Sequence, residues 1–267
     1  MGKNLNIPVV LAFISIFVMT SFAGVVVTGV EKIGSKEKSL STVFIDKDKL
    51  RIETSESGEN QLILFRQDKD LIWIVNQAKK TYMEMTRQDV MQMTEQIDEA
   101  MKQLEEQLKN MPAEQREMMK KMMPSTLTEK ARPKILYKKK ADGVKIKNWS
   151  TAHYEGTLDG QKKSEVWTIK WSQANIDEED VNALRGMGEF FEALAGEIDE
   201  FFQMGSDDFA KEGGYAGMPV KFFYYEDGKI ISDFEINEIK KQSLDASLFE
   251  LPKGLKKEDK PFGKMPE

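Results

Sequence analysis

Between Thr42 and Met85 the chain breaks into short runs rich in β-branched and aromatic residues, TVFI, KLRIET, QLILFR, LIWIV and TYMEM, each closed by polar turn material. Runs this short and this closely spaced predict strands in an antiparallel meander. In LIWIV both alternating sets are apolar, Leu71, Trp73 and Val75 on one side and Ile72 and Ile74 on the other. Such a strand is expected to be covered on both faces.

The period then changes. Met93, Ile97, Met101, Leu104, Leu108 and Met111 recur at helical spacing, and Thr86 with Asp89 supplies an amino-terminal cap, so a helix is expected from Thr86 to Met111. Pro112 is read as opening a second, shorter helix that gathers Met118, Met119, Met122 and Met123 on one side and stops at Pro124. Strand signals return at Ile135 to Tyr137, Val144 to Trp149, His153 to Leu158 and Ser164 to Trp171, with Asp142-Gly143 and Asp159-Gly160 read as hairpin turns. A further helix starts at Asn175 or Asp177, its acidic first turn matching the helix dipole, and carries Val181, Leu184, Met187, Phe191, Leu194, Ile198 and Phe201. PVKFFYYE and KIISDFEINEIKK around Asp227-Gly228 form a last hairpin. The pieces add up to one α+β domain over residues 24–251 with a Met-rich helical insertion at 86–124, followed by a flexible tail at 252–267.

Composition narrows the chemistry. With no Cys there is no disulfide, thiolate nucleophile or Cys-ligated metal, and a single His, His153, cannot build a His cage. A formal charge of -6 argues against nucleic acid as a partner. No charged residue lies between Lys3 and Glu31, and Ile7 to Ala23 is almost wholly apolar, the pattern of a signal peptide with Ser21 and Ala23 before the cut. The alternative is an uncleaved anchor, since the uncharged run continues to Val30. Cleavage after Ala23 is favoured because Gly24 to Val27 reads as the first strand of a periplasmic or extracellular domain.

Three constellations could carry function. Ten of the 16 Met lie between Met83 and Met123. They are read first as the adaptable apolar face of helices that hold a hydrophobic small molecule or lipid. The alternative is a Cu(I) site on the thioethers of Met83, Met85, Met91 and Met93. The stretch from Lys130 to Lys147 holds eight basic residues and one acid, Asp142. It is read first as a solvated hairpin whose lysines protect a sheet edge, and alternatively as a contact for a membrane surface or another envelope protein, a protein-interaction or stress-sensing role. No nucleophile or base is nominated to accompany His153, which is read as structural. The chain is therefore expected to be non-enzymatic and to need no cofactor.

TVFIDKDKLRIE, LIWIVNQAKKTYMEM, GMPVKFFYYEDGKI and LDASLFELPKGLKK together resemble a family of exported bacterial proteins of unknown function, through Arg51, Trp73, Lys80, Thr81, Tyr82, Phe249, Pro252 and Gly254. That family is similar to lipoprotein carriers of the LolA and LppX type. The resemblance implies a curved antiparallel sheet, or half-barrel, with amphipathic helices on its concave face over a hydrophobic cavity. On that reading Trp73, Met93, Ile97, Met101, Leu104 and Phe191 line the site.

Overall fold

The structure, a computed structural model, describes residues 23–33, 39–56, 59–112, 115, 134–195 and 205–259. Its strands are β1 (Ala23–Ile33), β2 (Ser39–Asp46), β3 (Lys49–Glu56), β4 (Glu59–Arg66), β5 (Leu71–Asn76), β6 (Thr81–Thr86), β7 (Leu136–Ile146), β8 (Trp149–Leu158), β9 (Gln161–Ile169), β10 (Met218–Glu226), β11 (Lys229–Ser243) and β12 (Lys256–Lys257). They form one curved, unclosed sheet in the order β12-β6-β5-β4-β3-β2-β1-β11-β10-β9-β8-β7. Two meanders, β1 to β6 and β7 to β11, join where β1 pairs with β11. The sheet is mixed, because β12 lies parallel to β6 while every other pair is antiparallel.

Helix α1 (Arg87–Lys109) leaves β6 directly. Thr86 closes a full capping box with Asp89, its side chain accepting from the Asp89 amide while the Asp89 carboxylate accepts from the Thr86 amide. Helix α2 (Asn182–Ala195) and the five-residue helix α3 (Asp207–Lys211) follow β9. All three pack on the same face of the sheet. Val90 of α1 and Ala183, Leu184, Met187 and Phe190 of α2 join Val25, Ile45, Leu50, Phe65, Ile72 and Met85 in the main core. Phe190 meets Phe65 edge to face with ring centroids 5.6 Å apart. Across β7 to β10 a second, aromatic core of Tyr137, Tyr154, Tyr215 and Phe222 is closed by Phe209 of α3. Gly156 of β8 is required there, since a Cβ would stand 2.2 Å from Ser164 Oγ and 2.7 Å from the Tyr137 ring.

The architecture departs from the expectations in three places. Asp142-Gly143 is not a hairpin turn: β7 runs through it with a register shift, Gly143 supplying φ +76° for the bulge, and the chain reverses at Lys147, with φ 52°. Asp159-Gly160 and Asp227-Gly228, by contrast, both take positive φ at hairpin tips, as a type I′ turn requires. Helix α3 has no counterpart in the sequence pattern. The stretch expected to be a flexible tail from 252 is held to the sheet as far as 258, with Leu255, like Leu251 before it, against Leu62, Leu64, Trp73 and Val75, β12 paired to β6, and the Glu258 amide donating to the Tyr82 carbonyl. The expected second Met-rich helix beyond Pro112, the apolar amino-terminal segment before residue 23 and the end of the second long helix at Ile198 and Phe201 lie outside the described residues.

Candidate functional site

The register of β1 to β6 sorts the side chains beneath the helices into three rows that run across six strands. The first, Val25, Ile45, Leu50, Phe65, Ile72 and Met85, is buried under α2 and the start of α1. The second, two residues along each strand, is Val27, Val43, Ile52, Ile63, Ile74 and Met83. It is apolar without interruption, yet apart from Val27 it is only half-buried. The third row, Gly29, Ser41, Thr54, Gln61, Asn76 and Thr81, is polar or bare. The second row is thus a band one residue wide and, at the usual strand spacing, roughly 24 Å long.

Helix α1 continues this incomplete coverage. Its stripe is fully buried at Val90 and buried again at Leu108, but open between them: Met93, Met101 and Leu104 are half-buried and Ile97 is 42% exposed. Met83 on the band and Met93 on α1 both pack against the main core, so the two half-covered apolar surfaces adjoin there. Phe191 on α2 is half-buried, edge to face with Phe190 at 5.1 Å. Of the residues expected to line a hydrophobic site, Met93, Ile97, Met101 and Leu104 share one helix stripe and Phe191 packs on the same core. Sequence reasoning missed the band itself; its signal was the alternate position in each strand, Val43, Ile52, Ile63, Ile74 and Met83.

Trp73 does not join them. It points to the opposite face, where it packs with Leu62, Leu64 and Val75 and donates from Nε1 to Glu84 Oε2 at 2.9 Å. Strand alternation forces this, because Ile72 and Ile74 take the helix side. Over Trp73 runs a strap, residues 244–259, and most of the residues that carry the family resemblance meet along it. Arg51 donates to the Leu248 carbonyl at 2.8 Å, Phe249 is fully buried, and the Lys256 amide donates to the Lys80 carbonyl at 3.0 Å beside Thr81. Arg66, 5% exposed, bonds both oxygens of Asp68, the Glu250 carboxylate and the Phe249 carbonyl. These residues hold the sheet to its C-terminal strap and do not line a cavity with the helices.

The strap is expected to respond to acid. The hydrogen bond from Arg66 holds the Asp68 and Glu250 carboxyls below the usual carboxylate range. A depressed carboxylate contributes stability that is complete above its unfolded pKa of about 4 and is lost as pH falls through the lower folded value. Acidification below about pH 4 is therefore expected to release the strap, seen as loss of dispersion in the Lys256 and Glu258 amide NMR signals, and Arg66→Met should remove that acid step.

On the same outer face His153 stacks on Trp167, with centroids 4.5 Å apart and planes 8° apart, and its Nε2 lies 3.2 Å from Glu165 Oε1. Glu165 also accepts from Tyr225 and from Lys162. Burial works to raise the Glu165 pKa, but the hydrogen bonds from Tyr225 and Lys162 outweigh it and hold the carboxyl low. These contacts tie β8, β9 and β10 together. Among the four Met considered for Cu(I), Met83, Met85 and Met93 turn to the main core, whereas Met91 is 53% exposed about 100° around α1 from its stripe, so the four do not converge. The basic stretch carrying Lys138, Lys139, Lys140 and Lys145 is edge strand β7, with Lys139 paired to Asp142 and Lys140 to Glu155.

No protein-family model matches the chain, and no curated protein matches it. Among solved structures it is similar to an uncharacterized conserved protein from Thermus thermophilus, at 11% identity over 89% of this chain and 90% of that one, with a TM-score of 0.46.

Proposed function

We propose that the chain is an exported, non-catalytic binding protein of the periplasm or extracellular space, which holds a hydrophobic ligand, a lipid or the acyl part of a lipoprotein, between the band and α1. In this reading the curved sheet acts as the half-barrel of a lipoprotein-carrier type of fold, and the helix-covered face is its concave side. The observation that carries the proposal is the uninterrupted half-buried row Val43, Ile52, Ile63, Ile74 and Met83, which meets α1 at β6 and α2 over β2 and β3. Each methylene moved from water onto such a surface contributes about 0.8 kcal/mol, enough to hold an acyl chain without covalent bonds. Flexible Met side chains at Met83, Met93 and Met101 let the same surface accept ligands of varied shape. The apolar run that ends at Ala23 supports export, because β1 keeps its pairing residues from Gly24 onward after a cut there.

The test is titration with a nonpolar naphthylamine fluorophore. Saturable enhancement that a long-chain fatty acid displaces is expected; a linear, non-saturating response would contradict the proposal.

A further inference from the structure

Of the described methionines, Met85, Met187 and Met218 are buried in the main core. Met83, Met93 and Met101 are only half-buried, and all three stand on the apolar surfaces that the proposed ligand would touch, Met83 in the band and Met93 and Met101 in the α1 stripe. Their neighbours are apolar. Ile74 pairs with Met83, Val90 and Ile97 stand one turn either side of Met93, and Ile97 and Leu104 flank Met101. Aliphatic side chains fill the rest of the band, Val43, Ile52, Ile63 and Ile74, so burial alone does not call for sulfur where the band meets α1. The chain holds no Cys, which leaves thioethers as its oxidisable sulfur.

We infer that Met83, Met93 and Met101 form an oxidation site that governs ligand release: a peroxide converts their thioethers to sulfoxides, and the band then lets its ligand go. The inference rests on the ligand reading proposed above and adds its regulation. In the step the sulfur lone pair takes one oxygen atom from hydrogen peroxide. The S–O bond forms as the O–O bond breaks, sulfur loses two electrons, and the rest of the peroxide leaves as water. Half-burial serves both parts of the scheme. It leaves each sulfur open to a small oxidant, and it sets the new S–O dipole among aliphatic side chains that donate no hydrogen bond. A flexible apolar side chain thus becomes a polar one within the acyl surface, where Met83 and Met93 bring the band and α1 together on the core. Met85, Met187 and Met218 are shielded from the same oxidant, so the core holds while the surface changes.

The test is the naphthylamine titration before and after graded treatment of the folded chain with hydrogen peroxide, with peptide mass spectrometry locating each sulfoxide. Sulfoxides are expected at Met83, Met93 and Met101 before Met85, Met187 and Met218, and the affinity should fall at least about tenfold as the three form. In the parent the loss should track these three positions and not Met91, which is exposed off the stripe. Met91→Leu should therefore lose as much on treatment as the parent. The variant carrying Met83→Leu, Met93→Leu and Met101→Leu keeps every other methionine oxidisable, and the same treatment should move its affinity by less than about twofold from its own untreated value. Methionine sulfoxide reductases with dithiothreitol should restore the parent. Unchanged affinity once the three sulfoxides have formed, a loss that tracks Met91, equal loss in the triple variant, or a loss that the reductases do not reverse would overturn the inference and leave the ligand reading standing. Absence of saturable binding by the untreated parent would instead overturn the ligand reading, and the inference with it.

Discussion

Replacing Phe249 with alanine is expected to lower the unfolding free energy by about 3–5 kcal/mol, the usual cost of truncating a fully buried phenylalanine. Phe249 ends a short turn, Ala246–Phe249, whose start is fixed by Asp245 accepting from the Ser247 amide at 2.8 Å. Its neighbours in the chain are held from three directions: Arg51 grips the Leu248 carbonyl, Arg66 grips Glu250, and the Glu258 amide donates to the Tyr82 carbonyl at 2.8 Å. Loss of the ring removes the one fully buried apolar anchor of the strap, leaving the half-buried Leu251 and Leu255 and ties that are polar and partly exposed. The strap should then open before the rest of the sheet, uncovering Leu62, Leu64, Trp73 and Val75. Denaturant unfolding measures the first effect, and faster hydrogen exchange at the Lys256 and Glu258 amides measures the second. Unchanged exchange at both amides would show that Phe249 does not hold the strap.

The second large effect concerns ligand uptake. Ile63 sits at the centre of the band, between Ile52 on β3 and Ile74 on β5. In the fluorophore titration Ile63→Asp is expected to weaken binding by about 100-fold, since an acyl chain laid across the band would have to desolvate the new carboxylate without a partner. Thr54→Asp is the matched control. It lies on β3 one step along, in the polar row, paired to Ser41 and Gln61, and should change the affinity by less than about twofold. Both positions are partly open, so the expected stability cost is modest, about 1–2 kcal/mol, and the titration can be run on folded protein. Equal weakening by the two variants would point to a general effect of added charge and away from the band.

Why some of this was legible in the sequence and some was not follows from the physics of each element. The alternation in KLRIET and the short unbroken apolar runs in QLILFR and LIWIV specify strands, covered on one face and on both, and Thr86 with Asp89 marks the start of α1 because orphan amides need acceptors there. Alternation does not say which face a helix will cover when both are apolar. Leu71, Trp73 and Val75 compete with Ile72 and Ile74, and the carrier-type reading placed Trp73 on the helix side, whereas it lies on the other. Asp142-Gly143 has turn chemistry, but a positive φ at glycine serves a bulge equally well, and only the pairing of β7 with β8 decides between them. In the strap, Pro252, Lys253 and Gly254 give the composition of a tail, which hides Leu251 and Leu255, four residues apart and both packed. Helix α3 is too short to leave a period; its signal was Ser206 accepting from the Phe209 amide, with Phe209 as the buried anchor. The half-burial of Val43, Ile52, Ile63, Ile74 and Met83 is a property of how far α2 and α1 extend over the sheet, which no local pattern encodes.

The central claim is that a hydrophobic ligand lies on this band, and photolabelling with a diazirine fatty acid followed by peptide mapping addresses it directly. Adducts are expected on Ile52, Ile63, Ile74 and Met83 and on the α1 stripe at Ile97 and Met101. Adducts concentrated on Leu62, Leu64, Trp73 and Val75, or no labelled peptide above that of heat-unfolded protein, would contradict it.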